Sequence, residues 1–285
     1  MPVIAVVNRK GGSGKSTLAA HVAAWLARQG HAVMLGDIDR QQSSRGWLRR
    51  REAGLPFISP WTLDQKNLLR VPTGITHVVL DTPGGLHGFE LARVVMFADA
   101  ILLPVCASMF DREAAAACHA EMIALPRVAS GRCRLAAVGM RIDGRTRAAD
   151  SLKLWTESLP LPLIGVLRET QSYVRCLERG LTLFDVAPAQ VEQDLAQWQP
   201  ILKWLQEAIK PAASREAPAV SPRLQHATRA SSTLAAPLTP AQQVLAPGSR
   251  MSVLSGGRPL HPVQRVGGAP AAPAESWPLK EMLKR

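Results

Sequence analysis

The stretch Arg9-Lys10-Gly11-Gly12-Ser13-Gly14-Lys15-Ser16-Thr17 limits what this chain can fold into more than any other. Before it runs Pro2-Val3-Ile4-Ala5-Val6-Val7, which reads as a buried strand, and after it Leu18, Ala19, Val22, Ala23 and Leu26 recur at helical spacing. A strand, a tight glycine loop and a helix therefore follow in sequence. Glycine has no Cβ, so successive backbone N–H groups can turn inward around one anion, and the helix N-terminus adds its partial positive charge. Gly11, Gly12, Ser13, Gly14, Lys15, Ser16 and Thr17 are accordingly expected to cradle a triphosphate. Lys15 would reach the β- and γ-phosphates, and the Ser16 hydroxyl would ligate magnesium.

Five positions before Gly14, where ordinary phosphate loops carry a glycine, stands Arg9, and a second lysine, Lys10, precedes the glycine pair. Here the sequence resembles the ParA/MinD family of deviant Walker-A ATPases, whose hallmark is Lys-Gly-Gly-x-Gly-Lys-[Ser/Thr]. The resemblance implies ATP and Mg2+ as ligands, a homodimer formed with ATP, and Lys10 reaching across the dimer interface to the partner's nucleotide. The segment Asp37-Ile38-Asp39-Arg40-Gln41-Gln42-Ser43 closes a second strand-like run, residues 31–37, and resembles the family's Asp-x-Asp-x-Gln switch. By resemblance Asp39 orients the attacking water, and Asp37 lies in the magnesium shell or hydrogen-bonds its neighbours. Arg40 occupies the family's usual proline position. Val78-Val79-Leu80-Asp81 has Walker-B form, which puts Asp81 near the metal. Thr82-Pro83-Gly84-Gly85 follows, with Gly84 in place of the family's second proline, and predicts a mobile second switch.

Further apolar runs at 99–105, 135–140 and 163–167 alternate with helical segments at 111–125, 145–159 and 191–208. This alternation predicts an α/β fold, a doubly wound, mostly parallel sheet with helices on both faces. Residues 42–52 read as a helix on which Arg49-Arg50-Arg51 forms a solvated face. Relatives commonly carry an adenine-contacting asparagine near Met140; methionine cannot make that contact, so base recognition is expected from backbone atoms after the next strand. There Arg168-Glu169-Thr170 resembles the adenine-flanking loop, making Arg168 a candidate nucleotide contact. The resemblance covers residues 2–208.

The formal net charge is +12 and the pI about 10.4. Residues 210–285 hold ten Lys and Arg against three Asp and Glu, and 11 of the 22 prolines, so the basic excess lies more in this tail than in the body. Ordering some 75 such residues would cost on the order of 75–150 kcal/mol, and the tail has few large apolar side chains to offset it. The expected organisation is a phosphate-loop ATPase domain over 1–209, a disordered Pro/Ala-rich basic tail over 210–274, and a short amphipathic docking segment over 275–285. Cys106, Cys118, Cys133 and Cys176 lack the spacing of a zinc site and read as reduced, mostly buried thiols. No run of apolar residues is long enough to span a membrane and no amino-terminal signal fits, so a cytoplasmic, nucleoid-associated protein is expected. A basic ATPase of this kind is expected to bind DNA non-specifically as the ATP dimer and to partition or position a plasmid, a chromosome region or a protein cargo. A ParB-like or cargo-adaptor partner would stimulate hydrolysis. Arg147, Arg168, Arg175, Arg179 and Lys203 are the candidate DNA contacts. The alternatives are a MinD-like ATPase anchored to a membrane by residues 275–285, and a biosynthetic enzyme built on a related nucleotide domain.

Overall fold

The computed structural model of the chain describes residues 1–39, 41–62 and 71–210. The expectations for Arg40, for the tail beyond Lys210 and for the 275–285 segment lie outside them. In chain order the elements are β1 (Val3–Val6), α1 (Lys15–Arg28), β2 (Val33–Asp37), α2 (Ser43–Leu48), β3 (Ile58–Thr62), β4 (His77–Asp81), α3 (Gly88–Phe97) and β5 (Ala100–Val105). Then come α4 (Met109–Ile123), α5 (Pro126–Ala129), β6 (Arg134–Ile142), α6 (Ala148–Glu157), β7 (Leu163–Arg168), α7 (Gln171–Glu178), two 3₁₀ turns (Leu183–Asp185 and Pro188–Gln190) and α8 (Glu192–Ala208).

The strands form one sheet in the order β3-β2-β4-β1-β5-β6-β7, and every pairing is parallel. A parallel sheet must be covered on both faces. On one face α1, α2, α7 and α8 bring in Leu18, Leu26, Trp47, Tyr173 and Trp198; on the other α3, α4 and α6 bring in Leu91, Val95, Met122 and Leu152. From β1 the chain first builds outward through β2 to β3, then returns and builds the other way through β5 to β7. The loop after β1 thus opens at the point where strand order reverses, the usual ligand crevice of such sheets.

The sequence reading had not named β3 or α3. β3 carries Pro60, which lacks a donor, and it is tolerated because β3 is an edge strand. All four cysteines are free and buried. One expectation is corrected: helix α2 ends at Leu48, so the arginine run forms the following turn, and Arg51 is not solvated. Its guanidinium donates to both carboxylate oxygens of Asp185 at 2.8 and 3.1 Å and to the Gly180 carbonyl at 3.4 Å, and lies 5.4 Å from the Trp47 ring centroid. Burial pushes Asp185 up, but Arg51 and Thr182 outweigh it and hold the carboxyl below its ordinary range. Gly180, at φ +72°, lets this turn close, because a Cβ there would lie 2.4 Å from the Arg50 carbonyl.

A second tie runs from α1. His21 is fully buried; its Nδ1 is 2.8 Å from the Thr17 carbonyl and its Nε2 accepts from the Leu183 N–H at 3.3 Å. This pairing assigns the neutral Nδ1–H tautomer. The ring stacks on Trp198, with centroids 5.3 Å apart, and meets Tyr173 and Phe184 edge-on. Burial lowers the His21 pKa from 6.5 to about 4. The unfolded chain therefore binds a proton that the folded one refuses between those values. Stability is full above the upper value and falls as pH drops through the window, by about 3 kcal/mol at most for this group. Urea titrations from about pH 7 to pH 4 should show the loss, and His21→Phe should flatten the slope whatever its absolute stability; an unchanged slope would contradict this assignment.

Candidate functional site

The carboxyl ends of β2, β4 and β1 are adjacent. In register Asp37 pairs with Asp81, and Asp81 with Val6, so two carboxylates end neighbouring strands beside the start of the glycine loop. A cavity of about 930 Å³ opens there, lined by Gly11, Gly12, Gly14, Lys15, Ser16, Thr17, Asp39, Gly84 and Arg141 among others. Gly12 and Gly14 have φ of +71° and +94°, which L-residues rarely adopt. Gly14 is also the residue from which α1 starts, and a Cβ on it would lie 2.7 Å from the Met140 side chain. Met140 thus fills the space behind the loop.

The loop is fastened from below. Asn8, buried, donates to the Pro104 carbonyl at 2.6 Å and accepts from the Lys10 N–H at 2.9 Å. Lys15 donates to the Lys10 carbonyl at 2.9 Å, folding back over its own loop. Burial lowers the Lys15 pKa, while Asp81 and Asp39 pull it upward. The Lys10 ammonium points elsewhere, 2.6 Å from Asp111 at the start of α4. Arg9 pairs with Glu121 of α4, and Glu121 also accepts from the Gly88 N–H at 2.5 Å. The second switch lies directly on the loop: Gly85 N–H donates to the Arg9 carbonyl at 2.5 Å, and a Cβ on Gly84 would meet Gly11 N at 3.2 Å.

On the acidic side, Asp37 is occupied. It accepts from Asp39 N–H at 3.0 Å, from the Ser44 hydroxyl at 2.9 Å and from Arg45 N–H at 3.1 Å, so it holds the first switch and the start of α2. Asp81 differs: it is fully buried and neither carboxylate oxygen completes a hydrogen bond. Burial pushes its pKa up to about 7; the nearby Ser16 and Ser44 hydroxyls and the Lys15 ammonium oppose this, and Asp37 adds to it. The Ser13 hydroxyl is likewise buried without a partner. A buried, unpaired carboxylate facing a serine hydroxyl beside a glycine cradle is the donor set of a hydrated magnesium ion carried on a nucleotide. Among the described residues no cluster of three or more His, Cys, Asp or Glu could hold a metal unaided, so the remaining ligands would be phosphates and water. The residues present fit magnesium nucleotide.

Residues 4–184 match the family described as the CobQ/CobB/MinD/ParA nucleotide binding domain. The chain belongs to this family. It is 40% identical over 111 residues to the maintenance of carboxysome distribution protein A of Gloeobacter kilaueensis, a stretch covering 38% of this chain and 51% of that protein. It therefore spans about half the length of that relative. To the protein of the same name from Halothiobacillus neapolitanus it is 27% identical over 189 residues, 64% of this chain and 87% of that one. To the chromosome-partitioning ATPase Soj of Thermus thermophilus it is 28% identical over 183 residues, 53% and 73%. Among solved structures, an ATP complex of a Cyanothece McdA variant superposes with a TM-score of 0.55 at 16% identity, covering 70% of this chain and 96% of that one; at this identity the likeness concerns the fold.

In this ParA/MinD-type domain Gly11, Gly12, Gly14 to Thr17 and Asp39 line the cavity, and Asp37 and Asp81 end the neighbouring strands beside it. Arg168 does not join them: its Nε donates to Asp194 at 2.5 Å, tying β7 to α8. Arg175, Arg179 and Lys203 are exposed on α7 and α8, whereas Arg147 heads α6 on the opposite layer of the sheet. Asn8, Asp111, Glu121 and Arg141 were not anticipated as parts of the site. They reach the loop from elsewhere in the chain or carry no motif, so a single sequence offers no signal for them.

Removing the uncompensated charge should separate stability from function. Asp81→Asn is expected to raise the melting temperature of the nucleotide-free protein, since an unpaired buried carboxylate is costly, and to abolish the magnesium dependence of ATP binding. Melting curves in EDTA and in Mg-ATP measure both; a lower melting temperature without nucleotide would contradict the burial argument.

Proposed function

We propose that this chain is a ParA-like ATPase whose two copies close face to face on ATP, bind DNA without sequence preference in that state, and partition or position a cargo, with hydrolysis releasing the pair. The position of Lys10 carries this reading. Although it belongs to the glycine loop, Lys10 is not among the residues lining its own chain's cavity, and its ammonium is turned out to Asp111. A cation held at the rim is placed to serve a nucleotide on another chain. The rim is also apolar: Phe89, Met109 and Phe110 are 78, 56 and 67% exposed, which fits a surface covered in a dimer.

Within one chain the geometry and the family resemblance support the following division of labour. The backbone N–H groups of residues 11–16 and Lys15 bind and neutralise the β- and γ-phosphates. Ser16 and Asp81 would hold magnesium, which would supply charge neutralisation at the phosphate oxygens. Asp39 orients water, and Asp37 holds Asp39 in place through the bond to its N–H. Turnover is expected to be slow and to be accelerated by a ParB-like or adaptor partner. The names of the relatives, carboxysome distribution and chromosome partitioning, support a positioning role and leave open whether the cargo is a protein assembly or a replicon. For DNA, Arg175 and Arg179 line one shallow groove of about 160 Å³, with Lys203 on the neighbouring helix α8, and the tail adds most of the excess positive charge.

Asp39→Ala should block hydrolysis and trap the dimer: gel filtration in Mg-ATP should show twice the monomer mass, and Lys10→Ala in that background should return it to monomer while still binding nucleotide. A blocked variant that stays monomeric at saturating ATP would sink the proposal. With about five phosphates neutralised, the log–log salt slope of DNA binding should be about −4 to −5. ATP-dependent binding to anionic vesicles, lost with residues 275–285, in place of DNA binding would favour the membrane-anchored alternative.

A further inference from the structure

Arg141 stands at the carboxyl end of β6 with φ +53°, and among the described residues only Gln42 shares such a backbone outside glycine. The β6–β7 register breaks here, between Gly139 and Ile142. The strand therefore kinks, and Arg141 lines the same cavity as Gly11, Lys15, Ser16 and Asp39. Keeping an arginine in this conformation costs on the order of 1–3 kcal/mol, and a glycine would serve the kink with less strain. Something other than the sheet must favour arginine.

The guanidinium itself is sparingly engaged. Its hydrogen bond goes to the Cys106 sulfur, at 3.3 Å, and sulfur is a weak acceptor for a group with five N–H donors. The Cys106 contact, followed by the carboxylates of Asp111 and Glu169, favours its charged form. Asp111 is the same carboxylate that holds Lys10. The end of β6 thus offers a planar cation, strained into place at the wall of a cavity built for phosphate, with most of its donors uncommitted.

We propose that Arg141 binds the phosphates of the nucleotide in its own chain, as a second cation beside Lys15. A guanidinium fork matches two phosphate oxygens at once, which a lysine cannot do, and this pairing supplies what the weak sulfur contact does not. The inference rests on the nucleotide-binding reading of the cavity, and the test keeps the two apart.

Arg141→Gly removes the guanidinium and relieves the backbone at once, so reduced binding in it cannot be ascribed to lost folding. A fluorescent ATP analogue, titrated with magnesium, should bind this variant about tenfold or more weakly than the parent, with a melting temperature equal or higher. Arg141→Asn, which also tolerates the left-handed backbone, should lose affinity equally, and Arg141→Lys should recover it only in part. The same analogue lacking all phosphates, fluorescent adenosine, should bind parent and variants alike. Affinity for the ATP analogue within about twofold of the parent in both Arg141→Gly and Arg141→Asn, or equal losses for ATP and adenosine, would overturn the proposal. Lys15→Ala is the control for the cavity: if it also binds ATP like the parent, the nucleotide reading has failed, and if only Lys15→Ala loses binding, the role of Arg141 alone has failed.

Discussion

The carboxylate of Asp81 is buried at the end of β4 without a hydrogen bond to either oxygen, and much of the surrounding structure answers to that uncompensated charge. Burial, with Asp37 on the neighbouring strand adding to it, raises its pKa to about 7, while the ammonium that would balance it, Lys15, is itself disfavoured by burial and spends a hydrogen bond on the Lys10 carbonyl. Two opposite charges in one desolvated pocket, neither satisfied, are a poor arrangement for stability. They suit a ligand that brings its own anion and cation together. Magnesium nucleotide would do so: Asp81 would hold the metal, and Lys15 and the backbone N–H groups the phosphates.

The acidic side of the site is tied to the rest of the fold through directional contacts. Asp37 is the first link, because it holds Asp39, Ser44 and Arg45 together and so fixes the start of α2. Past the short helix the turn carrying Arg51 is bound to Asp185 and packed against Gly180 with no room for a Cβ. The Leu183–Asp185 turn is in turn held to α1 through His21, whose other ring nitrogen meets the carbonyl of Thr17, the last residue of the phosphate loop. The first switch, α2, the turn after α7 and the helix behind the phosphates therefore form a closed ring of directional contacts. Buried cores reward shape with many small terms; this ring adds geometry-specific hydrogen bonds and an ion pair, which tolerate displacement less well.

How much of this was legible follows from where the information lies along the chain. The glycine loop, the two Asp-terminated strands and the strand-helix alternation are local patterns, each written in fewer than about ten consecutive residues, and the structure has them in place. β3 was missed because Pro60 lowers its strand signal, and only its position at the sheet edge makes the proline acceptable. In the arginine run Arg49 and Arg50 are exposed, as a solvated face requires, and Arg51 alone departs from it, for a related reason. Three adjacent cations look like a solvated face until an acid 134 residues away closes on one of them. Asp111 and Glu121 lie beyond local reasoning altogether, since the parallel sheet brings β5 beside β1 and so carries α4, with Asp111 in its first turn and Glu121 in its last, alongside the loop.

The substitutions that set this chain apart from the family pattern also make physical sense together. Arg9, standing where other phosphate loops have glycine, sends its side chain to Glu121, and that carboxylate also takes the Gly88 N–H at the start of α3. Its carbonyl receives Gly85, while Gly84 lies so near Gly11 that a side chain would meet backbone at 3.2 Å. A proline at position 84 would bring a ring into that contact. The loss of the proline and the gain of the arginine thus act on one contact, the seam between the second switch and the phosphate loop. Glu121 holds both sides of that seam, pairing with Arg9 of the loop and accepting the Gly88 N–H at the start of α3, the helix that carries the exposed Phe89. Two departures that lie far apart in the sequence are thus, in space, changes to a single seam between the phosphate loop and the segment that follows β4.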